Sequence, residues 1–523
     1  MKINTPNDKI NETSKYISNY WDELINPSDK THKNVPVSNP YITPSKKFNA
    51  LFYWDTYFQN LGLLIDNKYN LAKGCAENFI DEIKILGFIP NFNGPGWLSK
   101  TRSQPAFFCP IVYELYKVSE DKELLEKFIE YITIEYKYWT TPPKLYKYGL
   151  TRYYDTSFWS KLQPYSTIAE SGWDITNRWR YPKKSLPIDL NTLLYLYEIY
   201  IPKFLRQLGR LTKEEEEKWE NLREKRLESI EKYMWDDNRE FYYDYSVKKG
   251  DSERSTSISG FFPLWGNIIN DEKAELCVKK GRDAFLYPGG FVTTLDNKIK
   301  GFLKLLWFMG LQWCYPIGWA PMQWIVIKGL CNYHFDNFAS NTSLMFLEMV
   351  SDIFEKEDAI YEKYDVVEKS IEGIKAHYKM HKGFGWTNAV FQALLARIIC
   401  GIKPIFPEDI FFAPRIPKAW EKSTITVSFK NYPKLDLDLS IEIQDKSESE
   451  NRSKYIIDVN KQVKMSFKFF KEIECDFESI LINNQESIDL FNIKKIENSI
   501  ENKIIAQSSN KILLKRGKNT IIA

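Results

Sequence analysis

From about Tyr16 to Cys400 the apolar residues of this chain recur at intervals of three and four, in one segment of helical length after another, and after about Pro404 the interval becomes two. A period near 3.6 buries one stripe of a helix, whereas a period of two buries one face of a strand, so few folds can accommodate both halves. DTYFQNLGLLI (55–65), NLAKGCAENFIDEIKILG (70–87), LNTLLYLYEIYIPKFLRQLG (190–209) and TSLMFLEMVSDIFEKE (342–357) carry the helical pattern. LTKEEEEKWENLREKRLESIEKYMW (211–235) reads as a solvated outer helix face with Glu–Lys and Glu–Arg pairs at i,i+4, a coiled coil being the alternative. REFYYDYSV (239–247) reads as half of a β-hairpin inserted in the helical series. Beyond a proline-punctuated connection, STITVSFKN (423–431), LDLDLSIEIQD (435–445), KYIIDVN (454–460) and VKMSFKFF (463–470) alternate apolar and polar residues. The expected organisation is a helical body over 1–403 and an all-β domain over 404–523, of a size suited to one sandwich. About twelve helices before a β domain are compatible with a toroid of helical hairpins, although periodicity alone does not establish that such a ring closes.

Composition narrows the function. The 523 residues carry 72 Lys and Arg against 69 Asp and Glu, a net charge of +3, which gives no field for nucleic acid or an anionic membrane. Aromatic residues make up 15% of the chain, 16 of them Trp, and rings with a flat apolar face and a polar tip serve a sugar cleft as well as a core. Cys75, Cys109, Cys277, Cys314, Cys331, Cys400 and Cys475 are widely spaced and odd in number, so they signal neither a disulfide framework nor a thiolate metal site. No apolar run follows the first lysine, and the most apolar stretch (302–330) is interrupted by Lys304, Gln312, Pro316, Pro321 and Gln323. The expected location is the cytoplasm.

Several segments combine Trp with an acid, an amide or an Arg in loops or at helix ends: FNALFYWDTYF (48–58), GFIPNFNGPGWLSKTRSQPAFF (87–108), AESGWDITNRWRYP (169–182), QWCYPIGWAPMQW (312–324), IYEKYDV (360–366) and GFGWTNAVFQALL (383–395). Stacking rings beside planar polar groups make a sugar subsite. Glycoside hydrolysis needs two carboxyl groups, one protonated and one charged. Asp174 is the first candidate: Trp173 beside it would desolvate the carboxyl and raise its pKa, as a general acid requires, and Arg178 lies one helical turn on if the segment is a helix. The competing reading is a helix cap. Glu362, in YEKYD, is the candidate partner, although a Glu in a charged segment is ordinarily solvated and Lys363 or Asp365 then makes surface pairs. Asp55 and Glu170 compete for either role. His377 and His381 form an HYKMH pair at helical spacing, but without the Glu of HExxH or a third ligand, so no metal is expected. No GxSxG elbow, Walker A or GxGxxG pattern occurs, and no cofactor is expected.

At these segments the sequence resembles the trehalase family, glycoside hydrolase family 37, and more distantly glycoside hydrolase family 63. YWDTYF (53–58), GFIPN (87–91), RSQP (102–105), SGWDITNRW (171–179), PIDLN (187–191), YPIGWAPMQW (315–324), EKYDV (362–366) and GFGWTN (383–388) occur in the family's order. The resemblance implies an (α/α)6 barrel, followed here by a C-terminal β-sandwich-like domain, and an inverting, metal-independent glycosidase. It implies Asp174 as general acid and Glu362 as general base, with their carboxyl groups roughly 6.5–9.5 Å apart to admit a water. It further implies that Phe48, Trp54, Asp55, Asn91, Arg102, Gln104, Trp313 and Trp319 line the sugar pocket, Arg102 as a bidentate hydroxyl clamp. Trp173, Arg178 and Trp386, from the same loop motifs, complete the expected substrate-facing set.

Departures from the family pattern concern recognition. GGRFRE is replaced by SKKFNA (45–50), so Lys47 and Ala50 stand for an Arg and a Glu; TSFWSKLQPYSTIAE (156–170) lacks the family's PRxES segment; QWD has become QWC at Cys314; and His377 falls about where a Glu is expected. A site built on hydrogen bonds discriminates through such groups. Three functions therefore remain in view: an inverting α-glycosidase acting on trehalose or a closely similar small α-glucoside; a relative acting on another α-glucobiose or a glycosylated small acid; and a sugar-binding protein without turnover. The expected partner is a small saccharide, with no nucleic acid and no membrane.

Overall fold

Segments with the three-and-four interval form helices, and four of the inner helices, starting at Tyr53, Phe108, Ala320 and Gly385, begin in the aromatic loop motifs. The structure is a computed structural model that describes residues 1–27, 35–95, 97–157, 165–253, 256–295, 312–372, 374, 380–404, 409–432, 437–444, 454–459, 463–472, 481–482, 485–486, 492–498, 503–514 and 517–522. Among the described residues the α-helices are α1 (Asp8–Tyr20), α2 (Tyr53–Ile65), α3 (Tyr69–Leu86), α4 (Phe108–Ser119), α5 (Lys122–Trp139), α6 (Tyr165–Glu170), α7 (Ile188–Gln207), α8 (Lys213–Met234), α9 (Phe262–Trp265), α10 (Asp271–Phe285), α11 (Ala320–Asn332), α12 (Asp336–Glu357) and α13 (Gly385–Ala393). The protein is mostly helical.

Two kinds of helix follow from the two kinds of pattern. In α2 and α11 apolar residues predominate, and all of α2 is buried, its polar Asp55, Thr56, Gln59 and Asn60 included. A helix apolar all round has to be enclosed. In α8 only Trp219, Arg226, Ile230 and Met234 are buried, so it lies on the outside along α7. A capping box between Thr212 and Glu215 starts α8, and its acidic first turn complements the helix dipole. The enclosed helices pack in series: α2 on α4, α4 on α7, α7 on α9, α9 on α11, α11 on α13, and α13 back on α2. The last contact is the tightest, because Gly62 on α2 faces Ala389; a Cβ at Gly62 would lie 2.6 Å from the Ala389 Cα.

The expected insertion at 239–247 is two short pairings, Trp235–Asp236 with Phe241–Tyr242 and Tyr245–Ser246 with both Asp251–Ser252 and Ser185–Leu186. After α13 and a π-helical turn (Leu394–Ile399) the chain forms two sheets. One has seven strands in the order Lys2–Asn4, Thr424–Tyr432, Leu437–Gln444, Lys454–Val459, Gly517–Ile522, Leu481–Ile482 and Gln485–Glu486. The period of two sets its register: Ile425 opposes Ile443, Val427 opposes Ile441 and Phe429 opposes Leu439, all buried. The other sheet has five strands, Ile402–Pro404, Asp409–Phe412, Val463–Glu472, Lys503–Leu514 and Asn492–Asn498. No helix among the described residues is long and apolar enough to cross a membrane.

Candidate active site

Helix α2 is entered through Leu51–Phe52, α11 through Ile317–Trp319 and α13 through Phe384, so three helix N-termini converge on one cleft of about 220 Å³. Phe48, Trp54, Asp55, Asn91, Arg102, Gln104, Asp174, Trp313, Trp319, Glu362 and Trp386 all line it. Pro44, Phe52, Phe92, Ala169, Gly172, Gln312 and Phe384 complete the lining. The positive ends of helix dipoles at such a cleft favour negative charge within it.

Asp174 follows α6 in an irregular loop, not at the start of a helix, so both the capping alternative and the helical placement of Arg178 fail. Gly172 turns the chain at φ +73°, with its Cα pressed against the Trp54 indole, and Ile175 also has a positive φ of 55°. A Cβ at Gly172 would meet the Trp54 Cε2 at 2.7 Å. Gly172→Ala is therefore expected to lower kcat/KM by displacing Asp174 and to cost about 1–3 kcal/mol of stability, read by kinetics and denaturant unfolding.

The Asp174 carboxyl is half-buried at the cleft wall and is pushed up to about 7 by desolvation, which the Arg102 charge opposes and the Glu362 charge assists. Asp55, in the first turn of α2, is held well above the usual carboxylate range by burial, and secondarily by Glu362 and Asp174. Glu362 is buried with 2% exposure, against the expectation of a solvated side chain. Its Oε2 accepts from Lys363 Nζ at 3.1 Å, and its backbone oxygen accepts from Trp386 Nε1 at 3.1 Å. Lys363 is buried as well, donating to Gln312 Oε1 at 2.6 Å and lying 4.8 Å from the Trp319 ring centroid. Burial pulls Lys363 below the usual amine range, while Glu362 and Asp174 push back. Arg102 lines the cleft 3.8 Å from Asp155, with its Nε lacking a hydrogen-bond partner among the described residues.

The indoles form a packed block. Trp313 and Trp319 stack at 4.0 Å with an interplanar angle of 3°, Trp173 stacks on Trp313 at 5.2 Å, and Trp386 meets Trp319 edge-on at 5.5 Å. Their faces are largely used on one another, which makes the floor of the cleft rigid. Gln104 Oε1 accepts from the Trp54 N–H at 3.0 Å, and the Asn91 amide donates to the Ala169 carbonyl at 3.0 Å, tying three motifs together.

Two expected contacts lie elsewhere. Arg178 is fully buried away from the cleft: Nη1 and Nη2 donate to Asp189 at 2.7 and 3.0 Å, while Nε and Nη2 donate to Asp244 at 2.6 and 2.8 Å. Four of its five N–H donors are used on two carboxylates, and the side chain does not line the cleft. Trp173 is fully buried behind Trp313 and supports the floor without lining the cleft. Glu170 is also excluded as a rival acid, because it accepts from Lys144 Nζ at 2.6 Å, Ser103 N at 3.0 Å and Tyr154 N at 2.6 Å. Gln312 and Lys363 were missed as site residues, although Gln312 adjoins the cleft Trp313 and Lys363 adjoins Glu362. Lys47 is exposed, and the His381 ring lies tilted against Phe48 with centroids 4.2 Å apart and its Nδ1 2.8 Å from Ser45 Oγ. His377 lies outside the described residues, among which no cluster of three or more His, Cys, Asp or Glu could hold a metal.

The trehalase family model matches residues 2–163 and 155–398. The chain belongs to the trehalase family. Periplasmic trehalases of Escherichia coli O8 (strain IAI1) and Shigella flexneri serotype 5b are 30% identical over 434 residues, 74% of each chain. Neutral trehalase from Saccharomyces cerevisiae superposes with a TM-score of 0.58 at 26% identity, covering 73% of this chain and 79% of that one. A family 63 mannosylglycerate hydrolase from Thermus thermophilus, at 15% identity, shares the fold with a TM-score of 0.55 over 74% of this chain and 100% of its own. As a member of the trehalase family the protein is a glycoside hydrolase. These relatives overturn the expected cytoplasmic location, since the bacterial trehalases it resembles are periplasmic. Unpaired cysteines do not fix the compartment either: Cys75, Cys109, Cys277, Cys314, Cys331 and Cys400 are all buried, and a buried single thiol is sheltered from oxidants wherever the protein resides.

Proposed function

We propose that this trehalase-family protein hydrolyses trehalose or a closely similar small α-glucoside with inversion, using Asp174 as general acid and Glu362 as general base. The observation that carries the reading is the contrast between two carboxyls lining one cleft. Asp174 is pushed up to about 7 by desolvation and can hold a proton for the leaving oxygen, while Glu362 is paired to a buried ammonium. Glu362 then takes a proton from a water attacking the anomeric carbon, and Asp174 gives its proton to the departing oxygen. Asp55, Arg102, Gln104 and Asn91 supply polar groups for the sugar hydroxyls; Phe48, Trp54, Trp313, Trp319 and Trp386 shape the apolar walls. The closed series of inner-helix contacts supports an (α/α)6 barrel over 1–403, and the two sheets support a β-sandwich-like domain over 404–523.

The test is incubation with a panel of α-linked disaccharides, trehalose included, with the initial products followed by NMR. Trehalose should release one glucose as β, by inversion, and one as the retained α leaving group. Absence of turnover on every member of the panel would overturn the reading. Because the acid must be protonated, kcat/KM on trehalose is expected to fall as pH rises through about 7, the value to which Asp174 is raised. A pH–rate profile measures this. α-Glucosyl fluoride, whose fluoride departs without needing a proton, should lack that basic limb.

A further inference from the structure

Lys363 has no part in the reaction as described, yet its side chain is wholly enclosed. Removing an ammonium from water is costly unless its donors are used, and here two of the three have named acceptors. Nζ donates to Glu362 Oε2 at 3.1 Å and to Gln312 Oε1 at 2.6 Å. Antiparallel pairing of Ile317–Trp319 with Lys363–Asp365 sets Trp319 opposite Lys363, placing the ammonium 4.8 Å from the indole centroid. The same indole donates through Nε1 to the Gln312 carbonyl at 2.8 Å, so both ends of Gln312 are fixed.

Gln312 also reaches the other carboxyl's loop. Its N–H donates to the carbonyl of Ile175, the residue after Asp174, at 3.3 Å. One residue on, the Trp313 carbonyl accepts from the Thr176 hydroxyl at 3.0 Å. A continuous chain of hydrogen bonds and short backbone links therefore runs from the Glu362 carboxylate through Lys363 and Gln312 to Asp174.

We propose that Lys363 is a positioning residue: its ammonium, anchored by Gln312, is the counter-charge of the Glu362 carboxylate and holds it at a set separation from Asp174. This rests on Glu362 being the base. An inverting enzyme needs a separation wide enough for one water between the carboxylate and the anomeric carbon, so a strut between the two carboxyl loops bears directly on the reaction. Among the described residues, the titratable and charged groups that interact with Glu362 include Lys363 beside it, Asp55 from α2, Asp174 from the loop after α6 and His381 from the segment before α13.

Lys363→Met, Lys363→Arg and Gln312→Leu are compared with the unaltered protein by pH–rate profiles on trehalose and α-glucosyl fluoride, with circular dichroism and melting as folding controls. Lys363→Met should lower kcat by about 10²-fold and move the acidic limb upward by about one pH unit or more on both substrates. Lys363→Arg, which keeps the charge, should return that limb toward its original position. Gln312→Leu should lower kcat with a smaller shift of the limb. A folded Lys363→Met protein with an unmoved acidic limb would overturn the proposal, as would full activity in Gln312→Leu if Lys363→Met does not fold. Failure of the unaltered protein on both substrates would instead overturn the assignment of Glu362 beneath it, and this proposal with it.

Discussion

Asp174→Asn is expected to lower kcat on trehalose by about 10³-fold while leaving hydrolysis of α-glucosyl fluoride within about tenfold of the unaltered protein. The amide cannot deliver a proton to the leaving glucose, whereas fluoride departs without one. Glu362→Gln should abolish measurable turnover of both substrates, because water must be deprotonated in either case. The asymmetry matters more than either loss, since a mutation that merely distorts the cleft would depress both reactions together. Initial-rate kinetics with the two substrates, on proteins shown to retain their circular dichroism, makes the measurement. Near-normal trehalose turnover in Asp174→Asn would remove Asp174 from the acid role, and retention of fluoride hydrolysis in Glu362→Gln would remove Glu362 from the base role.

Arg178→Met is expected to destabilise the protein by about 3–5 kcal/mol. Arg178 is the shared counter-ion of Asp189 and Asp244, both buried, and each carboxylate is further used: Asp244 accepts from the Ile188 N–H at 2.9 Å and Trp179 Nε1 at 2.6 Å, and Asp189 from the Leu190 N–H at 2.8 Å. Removing the guanidinium leaves two carboxylates enclosed without a counter-charge. Arg178→Lys should recover only part of the loss, because one ammonium cannot reproduce the fork that bonds both acids. Denaturant unfolding midpoints check the magnitude. Activity should fall as well, since Arg178 lies 4.5 Å from the Trp173 ring centroid and braces the loop that presents Asp174. An unchanged unfolding midpoint would show that the two acids find other partners.

The contrast between Asp174 and Arg178 shows which parts of the site were legible. Asp174, Trp313, Trp319, Glu362 and Trp386 sit in short motifs at loops or helix entries, and an inner helix that begins at the cleft necessarily brings its first residues there. Arg178 sits in the same kind of motif, only four residues after Asp174, but its destination depends on Asp189 and on Asp244, which lies 66 residues away in the inserted hairpin. No local pattern reveals a partner at that distance. Glu362 presented the opposite problem, for the run of charges in EKYD reads as solvated surface. Pairing with the Ile317–Trp319 strand encloses it, and Lys363 then becomes its buried counter-ion.

By itself the sequence determined the periodicities, and with them a mostly helical body followed by strands, because burying one stripe or one face is a local property of residue order. Its ordered motifs also determined membership of the trehalase family. Only the tertiary structure decided which indoles face the cleft and which pack behind it, which acids are already saturated by internal donors, and how burial pushes Asp174 upward while Lys363 is enclosed against Glu362. Those outcomes depend on desolvation and on neighbours far apart in the chain, quantities that exist only once the helices have closed around the site.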